Sequence, residues 1–206
     1  MNAKAIRHLS DTDKVMARLI KKVGPCTLKP KSRRSPFQAL VQSIVYQQLN
    51  GTAASTIFGR LKALFPDRRF PTPEDLRAAP DELLRGAGLS RAKTAAMKDL
   101  AEKTISGVVP TSRAIARMNE AEIMERLTAV RGIGPWTVEM LLIFTLGRED
   151  VLPATDYGVR KGFALTYGRR ELPTPKELLE FGEKWQPHRT TAAWYLWRSL
   201  DLQLPA

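Results

Sequence analysis

The chain has a single cysteine, Cys26, in 206 residues. That excludes a disulfide framework and leaves too few thiols for a cysteine-ligated iron–sulfur cluster or a structural zinc site. Histidine is nearly as scarce. His8 and His188 lie far apart in the chain, form no ligand-spaced cluster, and read as ordinary surface side chains, so neither a cofactor nor a side-chain-bound metal is expected. The N-terminus, MNAKAIRHLSDTDK, lacks the apolar core of a signal peptide. No stretch approaches the roughly 20 apolar residues that span a bilayer, and no segment shows sustained strand alternation. What remains is a soluble, intracellular helical protein with no membrane partner, long enough to bury a core without staples.

Acidic residues are outnumbered, 21 against 33 lysines and arginines, for a formal net charge of +12 and a pI near 10.1. Such a balance favours a polyanion, and nucleic acid most directly, because phosphate neutralisation releases counterions. Charge alone does not decide it, since ribosomal, membrane-surface and merely soluble basic proteins share the signal.

The positive pattern is helical. Phe37, Leu40, Val41, Ile44, Val45 and Leu49 keep the spacing of one apolar helix face, and Ser35-Pro36 with Gln38 supplies a capping-box start. The same punctuation recurs at Thr72-Pro73-Glu74-Asp75, at Asn119 with Glu122, and at Thr174-Pro175 with Glu177. Helices are expected near 12–23, 36–49, 52–65, 73–78, 80–86, 90–106, 111–117, 120–130, 135–146, 157–167, 175–184 and 188–200. The basic, proline-flanked run KPKSRRSP at 29–36 reads as a solvated linker, and the proline- and glycine-broken segment 65–90 as surface.

VRGIGPWTVEM, at 130–140, interrupts two good helices with a tight hinge. Gly132 and Gly134 permit positive φ or close backbone approach, and Pro135 suits the first position of the next helix. A helix-hairpin-helix of this kind presents backbone amides at a helix N-terminus, where a phosphate is the natural ligand and no sequence information is read. Taken alone, the same GxG fits a tight turn packed on the core.

The match extends well past the hinge. VRGIGPWTVEMLL followed by LPATDYGVRKGF resembles the helix-hairpin-helix, Gly/Pro-rich, Asp superfamily of base-excision DNA glycosylases. PFQALVQSIVYQQLNGTAASTI and GLSRAKTAAMKDLA resemble the corresponding segments of its alkylpurine branch, the 3-methyladenine DNA glycosylase II family, so the likeness runs from about Pro36 to Trp197. The resemblance implies an all-α, two-lobed fold with an interlobe active-site cleft. One lobe would be 34–146, ending in the hairpin, and the other 1–33 plus 147–206. It also implies a compact form without the N-terminal β-rich domain of longer relatives.

The resemblance further implies the chemistry. Asp156, about twenty residues beyond the hairpin, takes the position of the catalytic carboxylate. Breaking an N-glycosidic bond builds oxocarbenium-like charge on the deoxyribose, which a nearby carboxylate stabilises; whether it also orients water stays open. By itself an aspartate before a helix is most often a plain N-cap, and both roles can coexist. Leu49, with Gln48 beside it, matches the wedge that fills the gap when a nucleotide is rotated out, although Leu49 also continues the core stripe. Trp136, Trp197 and Tyr46 are the expected base-pocket aromatics, since a ring face attracts a cationic alkylpurine; Trp185 and Trp194 fit core or rim. Arg131, Gly132, Ile133 and Gly134 form the phosphate-gripping hairpin. The family's hairpin commonly holds a monovalent cation on backbone carbonyls, which no side chain encodes.

Two departures are informative. Strand-cutting members carry a Schiff-base lysine where Trp136 stands, so a monofunctional enzyme is expected, leaving an abasic site in alkylated double-stranded DNA during base excision repair. A further pocket aromatic of some relatives is Met140 here, which leaves the lesion range open. The rival readings are a bifunctional glycosylase/lyase for oxidised or mismatched bases, a non-catalytic helix-hairpin-helix DNA-binding module, and a basic RNA-binding scaffold. A monomer is expected, cytoplasmic or in the nucleoid of a bacterium, or in the nucleus of a eukaryote.

Overall fold

The computed structural model describes residues 3–30 and 34–202. The basic run at 29–36 falls partly outside them, at residues 31–33, and so does the expected lobe boundary at residue 33. Among the described residues there are helices and turns and no strand. Among them, too, no helix is long and apolar enough to cross a membrane.

Backbone contacts divide the chain into two compact units, one of Met1–Lys31 with Leu142–Ala206 and one of Ser32–Leu141. The first holds α1 (Ala3–Thr12) and α2 (Lys14–Val23), the second α3 (Pro36–Tyr46), α4 (Gly51–Ala63), α5 (Pro73–Ala78), α6 (Asp81–Gly86), α7 (Arg91–Ile105), α8 (Ser112–Ile115), α9 (Glu120–Thr128) and α10 (Pro135–Leu141). The chain then returns to the first unit through a π-helical turn, Leu142–Leu146, followed by α11 (Tyr157–Thr166), α12 (Pro175–Gly182), a 3-10 turn at Glu183–Trp185, and α13 (Arg189–Asp201).

Cap chemistry sets the starts. Ser35 accepts from the Gln38 amide while the Gln38 side chain accepts from the Ser35 amide, and reciprocal boxes close at Thr72/Asp75, Asn119/Glu122 and Thr174/Glu177. Each cap is worth about 1 kcal/mol. In the 32–141 unit α3 buries Phe37, Leu40, Val41, Ile44 and Val45, at about 1.5–3 kcal/mol per side chain. α7 lies against α3, α5 and α6, and α10 against α3 and α9.

In the other unit α11 and α13 pack so closely that a Cβ at Gly162 would lie 2.0 Å from the Leu196 carbonyl oxygen. A second buried nucleus gathers on Asp13, the N-cap of α2. It accepts from Tyr167 Oη at 2.6 Å, Trp185 Nε1 at 3.0 Å and the Val15 and Met16 amides, with Lys184 Nζ at 3.0 Å. Burial pushes the Asp13 carboxyl upward, but the hydrogen bonds from Tyr167, Met16, Trp185 and Lys184 outweigh it and hold the group below its ordinary value.

Several details differ from expectation. The segment 65–90 is not all surface: α5 and α6 pack on α7 and bury Leu76 and Leu84, with Ala87 and Leu89 buried beyond them. α1 is a helix where none was expected. It is short and has no cap signature in its sequence, and it is stabilised by burying Ala5 and Leu9 against its neighbours. Trp185 and Trp194 are both core, at 0% and 9% exposure. His188 is not a surface residue: it is 4% exposed, and its ring meets that of His8 edge-on at 5.5 Å.

Candidate active site

The hinge in the 32–141 unit is a hairpin between α9 and α10. Gly132 sits at φ +77°, the left-handed region that a side chain would strain. Gly134 does not share that conformation, and a Cβ there would meet nothing within 4 Å. Its glycine answers no internal crowding, which leaves room for an external backbone or phosphate. Ile133 plugs the core at 4% exposure while Arg131, Gly132 and Gly134 face solvent. The Gly134 carbonyl accepts from the Thr137 and Val138 amides and so starts α10. Among the described residues no acceptor meets the Gly132 and Gly134 amides, so both remain to donate outward. Trp136, in the first turn of α10, is 46% exposed.

The candidate wedge sits on a turn. α3 ends at Tyr46, and Gln48 takes φ +57°, the only positive φ among described non-glycine residues. Leu49 is therefore off the helix and 39% exposed, and it does not continue the core stripe. Asn50 then caps α4 by accepting from the Ala53 amide. Tyr46 is half-buried, its ring edge-on to Phe58 at 6.1 Å.

Both features hang on α7, whose role the sequence reading missed. Lys93 Nζ donates to the Val45 and Gln47 carbonyls at 2.7 and 2.8 Å, closing the C-terminus of α3, and burial lowers its ammonium pKa. Asp99 Oδ2 accepts from the Arg131 amide at 2.6 Å and from Lys103 Nζ at 2.8 Å, and Lys103 also donates to the Ala129 carbonyl at the end of α9. Burial pushes the Asp99 carboxyl up, but the bonds from Arg131 and Lys103 win and hold it below its ordinary value. Gln47 Nε2 completes the brace by donating to the Gly132 carbonyl at 2.9 Å. Apart from Asp99 and Lys103, four positions apart on α7, these partners lie 26 to 85 residues apart, so no local pattern announces them.

In the other unit, Asp156 is the N-cap of α11, and its Oδ1 accepts from the Val159 amide at 2.8 Å. The same oxygen accepts from Trp197 Nε1 at 2.8 Å. This brings together two of the expected site residues, 41 positions apart. The approach depends on Gly158, where a Cβ would lie 2.9 Å from Trp197 Cδ1 and 3.1 Å from Asp156 Oδ1. Phe144 stacks on Trp197, ring centres 5.7 Å apart and planes 30° apart. It comes from the π-helical turn, which adds a residue to one turn and so rotates the following side chains by about 100° relative to a continued α-helix. MLLIFTL shows no break in sequence, and neither Phe144 nor Gly158 was expected. Nor was Tyr157, 62% exposed beside Asp156 with Lys161 Nζ 5.8 Å from its ring centre. Among the described residues no group of three or more His, Cys, Asp or Glu side chains could hold a metal.

Residues 41–188 match the family model described as HhH-GPD superfamily base excision DNA repair protein. Over 202 residues, 97% of this chain and 88% of the relative, the sequence is 42% identical to DNA-3-methyladenine glycosylase 1 of Schizosaccharomyces pombe. The solved structure of Schizosaccharomyces pombe 3-methyladenine DNA glycosylase (Mag1) in complex with abasic DNA aligns with a TM-score of 0.85 at 41% identity, covering 98% of each chain. That of a DNA-3-methyladenine glycosidase from Bacillus halodurans aligns with a TM-score of 0.87 at 36% identity, covering 96% of this chain and 89% of that one.

Proposed function

The chain belongs to the HhH-GPD superfamily of base excision DNA repair proteins, and from that premise we propose that it is a monofunctional DNA glycosylase that removes alkylated purines from duplex DNA. The observation that carries the reading is the Asp156 carboxylate, fixed at the N-terminus of α11 by a backbone amide and an indole N–H on one oxygen.

The hairpin amides of Gly132 and Gly134, with Arg131 beside them, take a strand phosphate. Leu49 and Gln48 enter the gap left by the extruded nucleotide. Trp136, Trp197 and Tyr46 are the aromatic contacts of the base. A purine alkylated at N3 or N7 is a cation, attracted to a ring face by about 0.5–2 kcal/mol. When its bond to C1′ breaks, the electron pair goes to the base, which leaves neutral and needs no general acid. Positive charge then grows on the deoxyribose, and the Asp156 carboxylate stabilises it until water adds at C1′ and gives up a proton to solvent. At an effective dielectric near 20 a charge pair at about 4 Å is worth about 4 kcal/mol. Because it acts on charge absent from the ground state, it lowers the barrier and does not merely tighten binding. The Trp197 N–H holds that carboxylate in place. Trp136 cannot form an imine, so the product is an abasic site in an uncut strand.

The test is release of 3-methyladenine and 7-methylguanine from methylated duplex DNA by the wild type and by Asp156→Asn. Release should fall about a thousandfold in the variant while duplex affinity persists. Unchanged release removes the mechanism, and trapping of the wild type on DNA by borohydride removes the monofunctional assignment.

A further inference from the structure

Two arginine-bearing stretches that base release leaves unused meet in the 32–141 unit. Arg34, from the end of KPKSRRSP, and Arg68 and Arg69, from PDRRF, line one cavity of about 810 Å3, the size of a small-molecule site. Two of its lining side chains are aromatic. Phe58 and Phe70 line it, both half-buried, with ring centres 6.1 Å apart and planes tilted by 49°. Its polar groups are mostly donors. Lys62 and Arg69 have no ion pair among the described residues, and Lys62 Nζ stands 5.9 Å from the Phe58 ring centre. Gln38 commits its Oε1 to the Ser35 amide, which leaves its own amide nitrogen to donate. Arg68 is engaged with Asp75 at 2.9 Å, and Asp67 is the one acid on the wall.

A lining that combines donors with two aromatic rings fits a planar ring joined to an anion. We propose that this cavity binds a nucleotide, its base against Phe58 and Phe70 and its phosphate against Lys62 and Arg69. A free nucleoside monophosphate and an unpaired nucleotide of a DNA strand offer the same chemistry. The site is distinct from the Leu49 turn: the cavity flanks the first turn of α3 and that turn follows its last, so the 11 residues of the helix separate the two by about 15 Å. Tyr46 adjoins the cavity, its ring edge-on to Phe58 at 6.1 Å. The inference rests on the DNA reading only in the choice of deoxynucleotides as probes.

The test is an amide-shift NMR titration of the full chain with dAMP, with inorganic phosphate and with a single-stranded (dA)8 oligomer. Binding of dAMP should shift Phe58, Lys62, Arg69 and Phe70 and their neighbours. It should be at least tenfold tighter than phosphate and weaken at least tenfold in the double variant Lys62→Ala/Arg69→Ala. The same variant should release alkylated bases in single turnover within twofold of the wild type, which also certifies its fold. If (dA)8 binds at least tenfold tighter than dAMP at these residues, the ligand is a strand; if the two bind alike, it is a free nucleotide. Shifts confined to residues 131–136 and Asp156, equal affinity for phosphate and dAMP, or undiminished binding in the double variant each overturn the site. Failure of the wild type to release any base would remove the glycosylase reading and leave this mapping standing.

Discussion

The hairpin and the Asp156 carboxylate are both held rigid, but by different physics. Around the hairpin, charged and amide side chains reach from α7 and the end of α3 to backbone groups: Lys93 to Val45 and Gln47, Lys103 to Ala129, Asp99 to the Arg131 amide, Gln47 to the Gly132 carbonyl. Around Asp156 the support is steric, with glycines at 158 and 162 letting α13 close on α11 and Phe144 stacked against the indole that bonds the carboxylate. A phosphate grip needs donors aimed outward, so its struts engage carbonyls and the Arg131 amide and leave the Gly132 and Gly134 amides exposed. A catalytic carboxylate needs an unvarying position, which tight packing supplies at the expense of tolerance to added volume. The first region should therefore respond to pH and charge, and the second to single carbon atoms.

The largest break in that contrast is Gly162→Ala. The added Cβ would sit 2.0 Å from the Leu196 carbonyl oxygen, so one helix must move, at about 3 kcal/mol or more of unfolding free energy. Urea denaturation followed by tryptophan fluorescence measures it, and a loss below about 1 kcal/mol would show that α11 and α13 are not locked by steric contact.

Next come two variants that separate volume from hydrogen bonding at the carboxylate. Trp197→Phe keeps a ring for Phe144 to stack on and deletes the N–H. Losing a bond to a charged acceptor is worth about 1.5–3 kcal/mol, so base release should slow by about 10- to 100-fold in kcat at nearly unchanged duplex affinity. Gly158→Ala should act through the same bond, by pushing Trp197 aside, and combining the two should cost less than their sum. Additive effects would mean that Gly158 serves some other contact.

The parts legible from sequence are those encoded within a few residues. Capping boxes at Ser35, Thr72, Asn119 and Thr174 place four helix starts because donor and acceptor are three positions apart. Asp156 and Trp197 were legible through resemblance, while the bond between them spans 41 positions and appears only once α11 and α13 are packed. Hidden altogether were the features without local chemistry. The π turn has the composition of an ordinary helix, Gln48 takes positive φ without being glycine, and the α7 struts act across the fold. His188 was misread for the same reason, since its burial is a property of its neighbours.

The hairpin side of the comparison is tested by Asp99→Asn. The folded Asp99 pKa lies below its ordinary 3.8, so its bonds stabilise the protein fully above that value and the benefit is lost as pH falls through the depressed value. The difference in unfolding free energy between wild type and Asp99→Asn, about 1–2 kcal/mol at neutral pH, should hold constant down to about pH 5 and shrink below 3.8. Duplex affinity should drop severalfold, with base release at saturation unchanged, because Asp99 braces the Arg131 amide and touches no reacting atom. A pH-independent difference would assign the effect to packing and erase the distinction between the two regions.

The smallest effect belongs to the wedge turn. At φ +57° Gln48 holds a conformation that costs a non-glycine residue about 1 kcal/mol, and Gln48→Gly removes that cost while enlarging the freedom of the unfolded chain by a comparable amount. Net stability should thus move by less than about 0.5 kcal/mol. If the strained turn serves to present Leu49, freeing it should still lower duplex affinity a fewfold, since the wedge must then be ordered on binding. An affinity and a stability that both stay flat would reduce Gln48 to a linker and leave Lys93, through its bonds to Val45 and Gln47, as the group that fixes the turn.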